Sequence, residues 1–130
     1  MSDAPPVLVT REGGVVHVTL NRPARRNAIG GGMGEALDAL IASLRSDASA
    51  RVVVLRGAGG HFCAGLDLTE VAASPEEQQA RNRNLGARYL ALSELPQVVV
   101  AAIEGACHAG GLGFACAADI AFASSDARFC

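Results

Sequence analysis

The sequence contains no tryptophan, one tyrosine and only 4% aromatic residues. Surfaces that stack nucleic-acid bases need aromatic side chains, and a formal charge of −2 with a pI near 5.9 gives no basic footprint for a phosphate backbone. Nucleic acid is therefore excluded as an expected partner. No apolar run approaches the roughly 20 residues of a membrane span. The opening MSDAPPVLVTREGG has no charged segment leading into an apolar core. No membrane partner is expected, and the expected location is cytoplasmic. Cysteine is sparse: Cys63, Cys107, Cys116 and Cys130 show no CxxC spacing and lie in apolar or glycine-rich surroundings. They read as reduced core thiols, with no metal site.

What is present is apolar and glycine-rich. Half of the 130 residues are apolar, enough for one domain that buries roughly two thirds of its unfolded surface. Val7 to Arg11 and Val15 to Leu20 flank Gly13-Gly14 and predict a β-hairpin, with Val16, Val18 and Leu20 on one face. His17 falls on the other, less apolar face and reads as an ordinary histidine. Asn21-Arg22-Pro23 ends the second strand, and Arg25-Arg26 follows, so three arginines fall within five residues. Such a cluster is either a solvated loop or a meeting point for ligand phosphates. Apolar residues from Met33 to Leu44 recur at helical spacing, predicting a helix to Arg45 whose glycine-rich start should be loose or late.

Val52 to Leu55 predicts a buried strand closed by glycines, and Phe62-Cys63-Ala64-Gly65-Leu66-Asp67-Leu68 comes next. His61, beside that turn, reads as a loop residue. Ser74-Pro75-Glu76-Glu77 is a helix start with Ser74 as N-cap and Glu77 placed for a capping box. Leu85, Tyr89, Leu92 and Leu95 form its apolar stripe, Gln78 to Asn84 its solvated half, and Pro96 its end. Val98 to Ile103 is an unbroken apolar run, which predicts a strand covered on both faces. Gly110, Gly111 and Gly113 then turn the chain into a small-residue helix from Leu112 to Ala118, with Asp119 capping or locking backbone at its end. The glycines either permit close helix–sheet packing or expose N–H groups to an anion. Two strands that each lead into such a turn supply a pair of main-chain donors for a developing oxyanion. A dinucleotide site at Gly111-Leu112-Gly113 is disfavoured, because Cys116 holds the last position of the GxGxxG pattern.

Asn21-Arg22-Pro23 with Asn27-Ala28, the run Phe62 to Leu68, Glu104-Gly105 through Gly110-Gly111 to Ala118-Asp119-Ile120, and Ala127-Arg128-Phe129 stand collinear over nearly the whole chain. Together they resemble the enoyl-CoA hydratase/isomerase (crotonase) family. The resemblance implies an α/β fold, the crotonase-like spiral of ββα units, assembled as a homotrimer or dimer of trimers. It covers only the N-terminal half of a family member. Residues 1–130 are therefore expected to be a truncated core domain, poorly stable alone, whose missing C-terminal half leaves buried strands without their cover.

The resemblance also implies a site. The backbone N–H groups of Leu66 and Gly110 would grip the thioester carbonyl of an acyl-CoA as it becomes an enolate. Ala28, Ala64, Gly65, Asp67, Leu68, His108, Gly111 and Gly113 would line the substrate path, and Arg25 or Arg26 would lie near the CoA phosphates. The lysine usual just after the proline is Ala24 here. No cofactor is implied beyond the coenzyme A thioester, which is the substrate. Of the two glutamates that hold water in hydratases of the family, the first falls at Gly113 and the second beyond Cys130. His108 and Glu104 are the nearest titratable groups. The implied activity is acyl-CoA hydration or isomerisation, and the alternative is a truncated CoA-binding module without proton transfer.

Overall fold

A computed structural model describes residues 4–70 and 72–130. Strands β1 (Val7–Glu12) and β2 (Val15–Leu20) form the expected hairpin, with Val7 opposite Leu20 and Glu12 opposite Val15. Val16, Val18 and Leu20 are buried, and His17 lies on the half-exposed face. After a short 3-10 turn at Pro23–Arg25, helix α1 (Met33–Leu44) begins directly behind Gly32, so its start is late but well formed. Met33, Leu37, Ile41 and Leu44 turn one apolar stripe of α1 into the core.

Strand β3 (Val52–Gly57) pairs parallel with β2, and helix α2 (Pro75–Ser93) carries the chain to β4 (Val98–Ile103), parallel to β3. Two-residue β5 (Ala106–Cys107), helix α3 (Gly110–Ala117), β6 (Ile120–Ala123) and β7 (Arg128–Phe129) follow. The main sheet has the order β1-β2-β3-β4-β6, and β5 pairs with β7 in a second, small sheet. Helix α3 starts two residues before the expected Leu112, because the N–H groups of Gly111 and Leu112 already close the turn on His108 and Ala109. Ser74 caps α2 by accepting from the Glu77 N–H at 3.1 Å, while the Glu77 carboxylate accepts from Ala73, one residue earlier than in a strict capping box.

Two expectations need correction. Strand β4 is not covered on both faces: Val99, Ala101 and Ile103 are buried, whereas Val98 is exposed and Val100 and Ala102 are half-buried. The helices pack on one side of the sheet only, so a continuous apolar run coexists with alternating burial. Ile120, Phe122 and Phe129 are exposed on the outer strands as well, Phe122 at 64%. Second, Cys63 and Cys107 are buried core thiols, but Cys116 and Cys130 are exposed. The polar half of α2 is solvated as expected, with Gln78, Gln79, Asn82, Arg83 and Asn84 exposed, and Gln78, Arg81 and Asn84 also border a cleft. Asp119 does lock backbone: its carboxylate accepts from the Val99 N–H at 2.7 Å, and its own N–H donates to the Val99 carbonyl at 2.8 Å. That exchange pins the end of α3 to β4. No helix among the described residues is long and apolar enough to cross a membrane, and no described cluster of His, Cys, Asp or Glu forms a metal site.

Candidate active site

The loop after β2 is built around Asn27, whose side chain is fully buried. Its Oδ1 accepts from the Arg22 N–H at 2.8 Å, and its Nδ2 donates to the carbonyls of Ala58 and His61 at 2.9 and 2.7 Å. One amide thus ties the arginine loop to the turn after β3. Arg22 points inward, donating to the Ala28 carbonyl at 2.7 Å and to Asp67 at 3.0 Å. The other two arginines of the cluster, Arg25 and Arg26, are exposed. So the sequence cluster divides into one structural cation and two exposed ones.

The two glycine turns meet. The Ala64 N–H donates to the Arg26 carbonyl at 3.0 Å, and an isolated parallel bridge joins Ile29 to Leu66 through Ile29 N–H to Gly65 O (2.7 Å) and Asp67 N–H to Ile29 O (3.1 Å). This pairing uses the neighbours of Leu66 and leaves its own N–H outside. On the other side, His108 donates to the Cys63 carbonyl at 2.9 Å, so the start of α3 is laid against the same segment. A Cβ at Gly65 would lie 3.1 Å from the Gly110 nitrogen, tight enough that glycine is what lets the turns touch. Neither the Leu66 N–H nor the Gly110 N–H donates to any described protein atom. Both are main-chain donors with free capacity on adjoining segments.

The remaining expected residues divide by role. Asp67 is held at 5% exposure by Arg22 and by the hydroxyl and N–H of Thr69. The Thr69 bonds foremost, with Arg22 behind them, lower its carboxyl to about 2. It is engaged in structure rather than open to a ligand. Leu68, 90% exposed, stands free at the rim. Ala28 and Gly111 are buried, Ala64, Gly113 and His108 are half-buried, and the His108 ring makes no hydrogen bond to a described residue. Leu66 opens on a cleft of about 380 Å³ whose walls include Ile29, Gly34, Leu85 and the Arg88 side chain. Arg88 is 8% exposed and paired with Asp38 through two bonds of 2.8 and 3.0 Å, which fastens α2 to α1.

Sequence reasoning missed Tyr89 as a site residue. It read as one member of the α2 apolar stripe, and so it is, but its hydroxyl also donates to the Gly110 carbonyl at 2.5 Å. Burial raises its phenol to about 12, as it raises the Cys63 thiol to about 11. His61, read as a loop residue, anchors backbone by accepting from the Ala106 N–H at 3.0 Å.

Comparison with known proteins supports the same family. The family model described as enoyl-CoA hydratase/isomerase matches residues 10–130. The chain is similar to the solved structure of Pseudomonas aeruginosa AtuE, with 43% identity and a TM-score of 0.93 over 96% of this chain and 50% of that one. It is also similar to an enoyl-CoA hydratase of Mycobacterium smegmatis, with 39% identity and a TM-score of 0.93 over 97% and 50% of the two chains. A Rattus norvegicus protein, mitochondrial Delta(3,5)-Delta(2,4)-dienoyl-CoA isomerase, is 35% identical over 88% of this chain and 39% of its own length. Enoyl-CoA hydratase EchA19 of Mycobacterium tuberculosis is 35% identical over 99% of this chain and 50% of its own. The chain spans about half the length of the curated relatives it matches. With a family match over nearly all of its residues and crotonase-fold neighbours of high similarity, the chain belongs to the enoyl-CoA hydratase/isomerase family.

Proposed function

We propose that the chain carries the oxyanion hole of an acyl-CoA hydratase or isomerase, formed by the N–H groups of Leu66 and Gly110. The observation that carries this reading is that these two donors lie on touching turns and have no protein acceptor. A thioester carbonyl gains negative charge as it becomes an enolate, and preorganised main-chain donors in a partly dry site stabilise that charge by about 3 kcal/mol each. The exposed guanidinium groups of Arg25 and Arg26 are available for CoA phosphates, and Ala28, Ala64 and Leu68 flank the path from there to Leu66. His108, Gly111 and Gly113 form the floor of the turn. The CoA thioester is the substrate, no further cofactor takes part, the working assembly is a homotrimer or a dimer of trimers, and the location is cytoplasmic.

A second reading is favoured by one observation: Gly113 has no side chain, and the Tyr89 ring fills the space above it. A turn without a carboxylate binds an acyl-CoA without moving a proton. The test is turnover of crotonyl-CoA and of a 3-enoyl-CoA by the chain, alongside calorimetric binding of CoA, in the unsubstituted protein and in Leu66→Pro, which lacks the donor. Turnover that falls about 100-fold or more in the variant while CoA affinity holds supports the oxyanion reading. Binding without turnover in the unsubstituted chain selects the binding module, and absence of both refutes the two readings together.

A further inference from the structure

Two glycines of the second turn leave no room for an added side chain: Gly111, held against the Cys63 carbonyl, and Gly113, which alone is closed off by a side chain. A Cβ at Gly113 would lie 2.2 Å from Cζ of Tyr89 and 2.4 and 2.6 Å from its two Cε atoms. The ring is fixed on its other side by Phe114, edge to face, with centroids 5.1 Å apart at 84°. From this seat the hydroxyl reaches the Gly110 carbonyl.

Gly110 needs such a tether. It has no side chain, its N–H donates to no described atom, and it follows Ala109 at φ 47 and ψ −114. That is a region an L residue avoids, and such backbone persists only where its surroundings hold it. Two contacts from distant segments do so here. The Ala109 N–H donates to the Cys130 carbonyl at 2.7 Å, and Tyr89 holds the Gly110 carbonyl from α2, a helix itself anchored by the buried Arg88 and Leu92, so the peptide that carries the Gly110 N–H is held at both flanks.

We propose that Tyr89 is a positioning residue for the oxyanion hole, its phenol standing in the space of a side chain at Gly113 and clamping the Gly110 carbonyl, so that the adjoining peptide on the other side of the Gly110 Cα keeps its N–H aimed at the thioester oxygen. The inference rests on the oxyanion reading above and adds to it the residue that keeps one donor preorganised. The clamp works because the ring is rigid between Phe114 and Gly113, so the hydroxyl has one place to go. It stays a donor because burial holds the phenol protonated at any working pH. Loss of the hydroxyl leaves the Gly110 carbonyl without its α2 partner and frees the strained turn to reorient, which weakens stabilisation of an enolate more than binding of a neutral thioester.

The test compares two ligands on the 130-residue chain by calorimetry and absorbance. Acetoacetyl-CoA is acidic enough to bind as its coloured enolate, whereas butyryl-CoA offers the same CoA contacts with a neutral carbonyl. Tyr89→Phe keeps the ring and its Phe114 contact. It is expected to weaken acetoacetyl-CoA about tenfold and to remove the enolate band, with butyryl-CoA affinity nearly unchanged and the melting temperature lowered by only a few degrees. Gly113→Ala, which pushes the ring aside, is expected to reproduce the defect, and the double variant to be no worse than Gly113→Ala alone. An enolate band and affinity retained in Tyr89→Phe, or an equal loss for both ligands, overturns the clamp. An unsubstituted chain that binds butyryl-CoA and shows no enolate band overturns the oxyanion reading itself, and the clamp with it.

Discussion

At the scale of single residues, Asn27 shows how one buried amide sets the geometry of a loop. Its three hydrogen bonds join backbone on both sides of the site, and it sits at φ 57, which asparagine tolerates better than most residues. Asn27→Ala strands an N–H and two carbonyls in the interior and is expected to cost about 2 to 4 kcal/mol, read by denaturant unfolding. Tyr89 offers a direct optical check, because it is the sole tyrosine in a chain without tryptophan. Its phenolate absorbance is expected to rise near pH 12 rather than at the ordinary 10, since burial disfavours the charged form. A midpoint near 10 in the folded chain would show that the ring is not held where the clamp requires it. Neither role is legible in sequence. Asn27 reads as a turn residue and Tyr89 as apolar stripe, because the partners that give them meaning stand 31 and 34 residues away for Asn27 and 21 for Tyr89.

At the scale of elements, local chemistry predicts well where it decides the outcome. The Val16, Val18 and Leu20 alternation places β2 correctly, and Ser74-Pro75 places the start of α2 to the residue. Ser74→Ala removes the acceptor for the Glu77 N–H and is expected to cost about 1 kcal/mol, measured as a shift in the thermal midpoint. Prediction fails where coverage is tertiary. The apolar run of β4 says nothing about which face meets a helix, and the polar half of α2 says nothing about the cleft it borders. The glycine turns were visible as turns, but that Leu66 and Gly110 adjoin follows from the Ile29 bridge and the His108 bond, which link segments distant in sequence. Arg22 illustrates the same limit: its pairing with Asp67 spans 45 positions and separates it from Arg25 and Arg26.

At the scale of the whole molecule, buried and bonded ionisable groups bound the pH range of stability. Burial raises Cys63 and Cys107 from 9.0 to about 11 and Tyr89 from 10.0 to about 12. The folded chain therefore keeps protons that the unfolded chain releases. Their contribution is complete below about pH 9 and is lost as pH rises toward 12. Asp67 has the opposite sign. With its carboxyl lowered from 3.8 to about 2, it contributes fully above the ordinary value and ceases to contribute as pH falls through 2. Urea midpoints across pH are expected to form a plateau with both limbs falling, and Asp67→Asn to make the acid limb shallower while leaving the alkaline limb unchanged, the remaining acid limb belonging to Asp47, Glu77 and Asp126, whose carboxyls are also lowered by hydrogen bonds.

The strand order has a kinetic consequence. The β1–β2 hairpin is a local pairing, but β2 with β3, β3 with β4 and β4 with β6 are parallel pairings that wait for a helix or a long loop to be laid down between them. Chains dominated by such distant pairings refold in roughly milliseconds to seconds, well behind helical domains of equal size. Leu66 follows β3 and Gly110 follows β4, so the two donors meet only when β4 has docked. In stopped-flow refolding, helical signal is expected to appear first and the capacity to bind an acyl-CoA to arrive with the slowest phase, leaving a collapsed chain that holds its hairpin and has no site.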